Sequence, residues 1–312
     1  MAGKRTPKDS PARAVNVEKK STLLPIDEWT IQRTDTNAVA LKARFNASTR
    51  HKILLLSDLH WDSAHCRLSE LKSTMDKALK DNSPVFIFGD LFDAMQGKWD
   101  PRSSQTVLRP EHRGGNYLDL LVDTAVEWFK PYKSVLALVT YGNHETAILK
   151  RHEVDLIQRF VGAMRSLGSP VIAGPYWGFC LIQGLFKKSN NSADVVKRLA
   201  WHHGYGGGGE ITRGLIDSSR TRSQYDADIY VSGHIHRRNV DENVVTRVSS
   251  RGLVYTQPQL FVRCSCWKDE TDGYHVEKGR AARPIGGWWA ELVPNRPVST
   301  ASLDLMIRMT HT

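Results

Sequence analysis

Three times between residues 53 and 145, a short apolar run stops on polar residues and gives way to a segment of different period. Residues 53–56 end in Ser57 and Asp58, residues 85–88 end in Gly89 and Asp90, and SVLALVT leads into Gly142, Asn143 and His144. Apolar runs this short read as strands buried on both faces, which leaves the polar residues at their carboxyl ends. Leu68, Leu71, Met75 and Leu79 then recur at helical spacing before Asn82-Ser83-Pro84. Leu118, Leu121, Val122, Ala125 and Phe129 do the same before Pro131, and a third helix is expected over residues 153–167 with Val154, Ile157, Val161 and Met164 inward. Alternation of this kind predicts an α/β layered fold whose strand ends bring Asp58, Asp90 and Asn143 to one rim.

The second half is richer in strands. One or two are expected over residues 171–182, broken at Gly174-Pro175, and another over 198–203, running into His203. The four glycines at 206–209 are too permissive for an element interior and read as a loop beside a site. DIYVSGHIH is a further apolar strand ending in polar residues, followed by strands near 244–248, 253–256, 260–263 and 302–308. The chain divides into a basic, disordered tail over residues 1–35 and a single domain over 36–312, with polar insertions near 95–115 and 267–287.

Charge speaks to partners rather than to fold. Lys and Arg number 43 against 33 Asp and Glu, a formal net charge of +10, and six of the basic side chains lie in the first twenty residues. That balance favours polyanions, nucleic acid or phosphate esters, although plain solvated charge explains it equally well. The apolar runs are far shorter than the roughly 20 residues a membrane span needs. No apolar segment follows the basic start as a secretory leader requires. Cys66, Cys180, Cys264 and Cys266 form neither a disulfide framework nor a four-thiolate zinc site. The expected compartment is the cytoplasm, with no membrane partner and an oligomeric state left open.

Asp58-x-His60, Gly89-Asp90, Gly142-Asn143-His144-Glu145, His203-Gly204 and Gly233-His234-x-His236 all stand just beyond apolar runs, in that order. Singly, each has a plain structural explanation: Asp58 a helix cap, Asp90 a turn residue, His144 or His203 a hydrogen-bonded core imidazole. Jointly, imidazoles and carboxylates at one edge suit Mn²⁺, Fe or Zn²⁺ better than the all-oxygen shell usual for Mg²⁺ or Ca²⁺. On extended backbone the i, i+2 spacing turns Asp58 and His60 the same way, and likewise His234 and His236. There are more candidate ligands than one ion needs, and Asp90 is the natural carboxylate to bridge two.

In DLH, GDLFD, GNHE, HHG and GHIH, spread from residue 58 to residue 236, the chain resembles the calcineurin-like metallophosphoesterase superfamily. The resemblance implies a four-layer α/β sandwich, two central mixed β-sheets flanked by helices, with a dinuclear metal centre at the strand ends. It implies that Asp58, His60 and His236 hold one divalent ion and Asn143, His203 and His234 a second, while Asp90 bridges both. Mn²⁺ is the expected metal, with Fe, Zn²⁺ or Mg²⁺ as alternatives. His202 competes with His203, but the family pattern places the ligand immediately before the glycine. The implied reaction is attack of an activated hydroxide on phosphorus without a phosphoenzyme. His144 and Asp90 are the catalytic residues of that reading, His144 stabilising the transferring phosphoryl group or protonating the leaving oxygen. Asp93 and Glu145 are placed to orient imidazoles from behind.

Substrate is less sharply marked. GDLFD and GHIH look like the nuclease branch, similar to Mre11/SbcD-type DNA-repair exonucleases, and the basic balance leans the same way. The GNHE stretch, where that branch commonly has GNHD, keeps a nucleotide or cyclic-nucleotide phosphodiesterase, or a phosphatase, as the alternative. A metal-dependent scaffold without catalysis is a third reading. Lys98, Arg102, Arg109 and Arg113, or Arg213, Arg220 and Arg222, could clamp phosphate or could be solvated surface. Trp99, Trp267, Trp288 and Trp289 could stack on bases, though packing is the expected use of Trp288 and Trp289.

Overall fold

The computed structural model describes residues 24–26, 28–46, 48–95, 108–186, 194–207, 212, 214–271, 277, 279, 281–295 and 304–312. In chain order the strands are β1 (Trp29–Asp35), β2 (Ala38–Arg44), β3 (His51–Leu56), β4 (Val85–Phe88), β5 (Leu136–Thr140), β6 (Ile172–Gly174) and β7 (Trp177–Leu185). They continue as β8 (Val195–His202), β9 (Ile229–Ser232), β10 (Asn239–Val248), β11 (Val254–Arg263), β12 (Trp288–Asn295) and β13 (Asp304–His311). The helices are α1 (Leu68–Lys80), α2 (Tyr117–Phe129), α3 (Asn143–His152), α4 (Leu156–Ser166) and α5 (Leu215–Gln224).

Period-two alternation inside the apolar runs builds the layers. Leu54 and Leu56 of β3, Val85 and Ile87 of β4, and Leu136 of β5 join a core with α1, α2 and α4, whereas Ile53, Leu55, Phe86, Phe88 and Ala137 join the core between two sheets. One sheet has six strands in the order β13-β12-β3-β4-β5-β6, parallel from β3 to β6, with β12 antiparallel to β3. The other has seven, β1-β2-β7-β8-β9-β11-β10, and mixes both senses. On its far side Arg222 of α5 lies 4.6 Å from the Phe261 ring centroid. This is the four-layer sandwich with two mixed sheets. Each fully buried leucine or phenylalanine in it contributes about 2 kcal/mol.

Several elements depart from the expected boundaries. Residues 1–23 lie outside the described set, but Trp29–Asp35, expected within the tail, form β1. Arg33 donates to the Ala173 carbonyl on β6, which ties that strand to the opposite sheet. The helix expected over 153–167 is α4, with Asp155 capping it through Gln158 N at 2.9 Å, and α3 precedes it without an apolar stripe to announce it. Strands expected near 253–256 and 260–263 are one strand, β11. Pro258 is accommodated because β9 pairs with β11 only from Leu260 onward, so no second neighbour needs its missing N–H. Trp288 and Trp289 are buried in β12, and residues 96–107 of the first insertion lie outside the described residues. No helix among the described residues is long and apolar enough to cross a membrane.

Candidate metal centre

The parallel pairing of β3 with β4 continues past both strands. Asp58 N donates to Gly89 O at 3.0 Å, His60 N to Asp90 O at 3.1 Å and Trp61 N to Leu91 O at 2.8 Å, so the two acidic loops are stitched to each other. The opposite sheet supplies His203 after β8 and His234 and His236 after β9, with Gly233 N donating to His203 O at 2.8 Å. Asp58 crosses between sheets by accepting from His234 N at 3.1 and 2.9 Å. Asp90 accepts from His144 N at 3.0 Å at the start of α3, where the helix dipole favours a negative charge.

The loops are not extended, as the i, i+2 argument assumed. Asp58, His60, Asp90, His234 and His236 have φ of 52, 44, 49, 70 and 53°, the left-handed region that non-glycine residues seldom adopt. Side chains in each pair converge through these turns rather than through strand alternation. Strain of this kind is held where the surroundings over-determine it and a site requires it.

Each imidazole is turned to a protein acceptor on one nitrogen, leaving the other to face the site. His60 Nδ1 lies 2.9 Å from Asp93 Oδ1. His203 Nδ1 donates to Phe88 O at 2.8 Å, His234 Nε2 to Gly206 O at 3.0 Å and His236 Nδ1 to Glu270 Oε1. His144 Nδ1 donates to Asp93 O, which leaves its Nε2 3.8 Å from Asp90 Oδ2.

The nitrogens and oxygens that remain are all acceptors. His60 Nε2 and His236 Nε2 stand 3.1 Å apart, and Asp58 Oδ1 is 3.3 Å from the latter. Asn143 Oδ1 faces His203 Nε2 at 3.1 Å and His234 Nδ1 at 2.7 Å, while Asp90 Oδ2 is 3.2 Å from His203 Nε2. Lone pairs pointed at one another in a buried space require protons or cations between them. Asp58 with His60 and His236, His60 with Asp90 and His144, and Asp90 with His203 and His234 each gather ligand atoms within 4.8 Å. The mixed nitrogen and oxygen donors fit divalent transition ions.

Without a metal, protons fill this role. Burial opposes a second proton on His203, yet Asp90 and Asp58 raise it to about 10. His236 is likewise held well above the usual imidazole value, Cys266, Asp58 and Glu270 outweighing burial. Burial pushes the Asp90 carboxyl up, but His203 and His144 hold it well below the usual range. His60 and His234 run the other way, each lowered chiefly by its burial, His60 in spite of Asp93 and His234 in spite of Asp58 and Asp90.

Other candidates find different roles. His202 turns away, its Nδ1 accepting from Gly204 N at 3.0 Å. Asp93 does orient His60, but Glu145 orients no imidazole. Its oxygens accept from Phe92 N at 2.9 Å, Gly142 N at 2.9 Å and Asp90 N at 3.2 Å, which clamps the GDLFD loop to the GNHE loop. Burial and the Asp90 charge push Glu145 up to about 7. Arg109 is buried, lies over the Trp61 ring and donates to the Trp61 and Ser63 carbonyls, so it is structural and not a phosphate clamp. Arg113 donates to Leu108 O at 3.1 Å. Trp267 is buried, whereas Lys98, Trp99, Arg102 and Arg213 lie outside the described residues.

Sequence alone did not reveal a strap behind the site. Residues 267–270 open what reads as a polar insertion, but they run behind the ligand loops. Trp267 N donates to Asp58 O at 3.0 Å, Lys268 Nζ lies 3.1 Å from both Asp93 oxygens, and Glu270 grips His236. Cys266 and Glu270 close on the outer side of that ring within 4.8 Å. The signal available was the charged run Lys268-Asp269-Glu270, separated from the end of β11 at Arg263 by Cys264 to Trp267 and too brief to have a period.

The protein family described as calcineurin-like phosphoesterase matches residues 51–238. Among solved structures, Vps29 of Chaetomium thermophilum is similar at 9% identity and a TM-score of 0.37, covering 84% of this chain and 96% of that one. A metallophosphoesterase from Sphaerobacter thermophilus is similar at 13% identity and a TM-score of 0.31, covering 82% and 89%. No curated protein matches the sequence.

Proposed function

Because the chain belongs to the calcineurin-like phosphoesterase family, we propose that it is a dinuclear-metal phosphodiesterase acting on nucleic acid. The observation that carries the reading is the convergence of acceptor atoms from Asp58, His60, Asp90, Asn143, His203, His234 and His236, each ring nitrogen fixed from behind. In this reading Asp58, His60 and His236 hold one ion, Asn143, His203 and His234 the other, and Asp90 both, with Mn²⁺ the leading metal. Two divalent ions so held would supply a water of lowered pKa and offset the charge on a phosphoryl group.

The chain's own residues do the rest. Asp93 and Glu270 hold His60 and His236 in the orientation that presents Nε2. Glu145 fixes the relative height of Asp90 and Asn143 through three backbone N–H groups. His144, anchored on Nδ1 and 10% exposed at its side chain, has Nε2 free to meet a phosphoryl oxygen or pass a proton to the leaving oxygen. The formal charge of +10 supports a polyanionic substrate over a small neutral one.

The test is hydrolysis of bis-p-nitrophenyl phosphate, p-nitrophenyl phosphate, mononucleotides, cyclic nucleotides and labelled single- and double-stranded DNA with Mn²⁺, Mg²⁺ or EDTA, beside Asp90→Ala. Metal-dependent cleavage of the diester and of DNA, lost in the variant and steeply weakened by salt, is the expected result. Turnover of mononucleotides or cyclic nucleotides alone, with little salt dependence, moves the substrate to the nucleotide class. Monoester-only turnover makes it a phosphatase, and no turnover with any metal makes it a scaffold.

A further inference from the structure

The hairpin of β10 and β11 outruns the sheet it belongs to. β11 pairs with β9 only from Leu260 to Arg263, whereas β10 and β11 stay in unbroken register from Asn239↔Arg263 to Val248↔Val254. Beyond Leu260 the hairpin is a two-stranded arm, a form that is marginal in water without further strands. Its side chains do not suit that exposure. Val240 and Val262 share a face and pack on the core between the sheets, and the same face continues outward as Val244, Val248 and Val254, exposed by 56, 67 and 73%.

β10 is also the terminal strand of its sheet, so its outer N–H and C=O groups meet no strand among the described residues. Long edges are ordinarily guarded by lysine, proline or a bulge. The strand NVDENVVTRV has none of the three.

We propose that two copies of this chain join through β10, antiparallel, about a twofold axis at Val244, so that one sheet runs through the pair. A twofold perpendicular to the sheet keeps every side chain on its own face, which places the axis at a residue. At Asp241 or Glu242 it would set like carboxylates against each other. At Asn243, Val245 or Thr246 it would leave Arg247 opposite Asn239, Asn243 or Val245. At Val244 it sets Asp241 opposite the partner's Arg247, twice by symmetry, and Val240 opposite the partner's Val248. Both charges are already held: Arg222 lies 3.8 Å from Asp241, and Asp226 lies 2.9 Å from Arg247. The pairing therefore completes a run of alternating sign from Arg222 to the partner's Asp226. Asp241 and Glu242 on the strand argue against a nucleic-acid strand as the occupant.

Sedimentation velocity of the full chain tests this, with an expected species of twice 35.2 kDa. Asp241→Arg alone and Arg247→Asp alone each weaken association by about tenfold or more, and the double variant restores it. Val244→Cys gives a disulfide-linked dimer on mild oxidation because each copy of that position faces the other across the axis. Val245→Cys, which faces the partner's Asn243, does not. All five variants are checked for native far-UV circular dichroism and unchanged hydrolysis of the test diester. A monomer at about 100 µM, a dimer indifferent to both single reversals, or equal cross-linking at 244 and 245 would each overturn the proposal.

Discussion

Glu270 is the residue whose removal separates positioning from chemistry. It is buried, it touches no reacting atom in the proposed site, and it holds His236 by Nδ1. Glu270→Gln keeps the shape but replaces a charged acceptor with an amide that can also turn a donor toward the ring. Orienting carboxylates of this kind are worth about 10- to 100-fold in metal affinity. The expected outcome is selective: chelator competition shows one of two ions bound that much more weakly, while the ion held by Asn143, His203 and His234 keeps its affinity. Equal weakening of both ions would mean that Glu270 only supports the fold. Asp58, His60, Asp90, Asn143, His203, His234 and His236 were legible in the sequence because each follows an apolar strand. Glu270 and Lys268 were not, since their partners, His236 and Asp93, come near only when the chain after β11 folds back. Glu145 was legible as important but not in its role, because backbone N–H donors leave no pattern of side-chain types.

At the scale of elements the site depends on how closely two loops approach. A Cβ on Gly142 would stand 2.0 Å from Asp90 Oδ1 and 2.3 Å from Asp90 N, and the backbone atoms there are already pinned by Glu145. Gly142→Ala is therefore expected to abolish diester turnover, because the GNHE loop must retreat from the GDLFD loop. Gly162, inside α4 with open space for 4 Å around the position a Cβ would take, is the matched control. Gly162→Ala should stabilise the protein by about 0.5–1 kcal/mol with turnover unchanged, as read from denaturant midpoints and initial rates. If both substitutions behave alike, loop approach is not what Gly142 provides. The βα units were readable because their apolar periods are long enough to distinguish helix from strand. β1, α3 and the join within β11 were not, since β1 is polar and mostly exposed, α3 lacks a stripe, and Pro258 mimics a strand end.

For the whole molecule, the buried acceptors make stability, pH and metal one problem. His203 has its ordinary value of 6.5 when unfolded and about 10 when folded, so its contribution is full below 6.5 and is lost as pH rises through about 10. Asp90 and Asp58 run the other way: held below 3.8, they contribute above that value, and the contribution is lost as pH falls further. Through these three groups alone, the metal-free chain keeps their full contribution between about pH 4 and 6.5; Glu145, raised to about 7, loses its contribution as pH rises through that value, while His60 and His234, lowered by burial, contribute above 6.5. A divalent ion needs the same lone pairs, so its binding displaces the protons on His203 and His236, and its affinity must rise over the range where the metal-free form weakens. Ligand stabilisation grows with affinity at fixed concentration. The gap in unfolding temperature between Mn²⁺-loaded and EDTA-treated protein should thus widen from about pH 6 to about pH 8.5. In Asp90→Asn the alkaline fall of the metal-free protein should flatten, because the charge that raises His203 is gone. A gap that stays constant or narrows with pH would show that these acceptors are not where protons and metal compete.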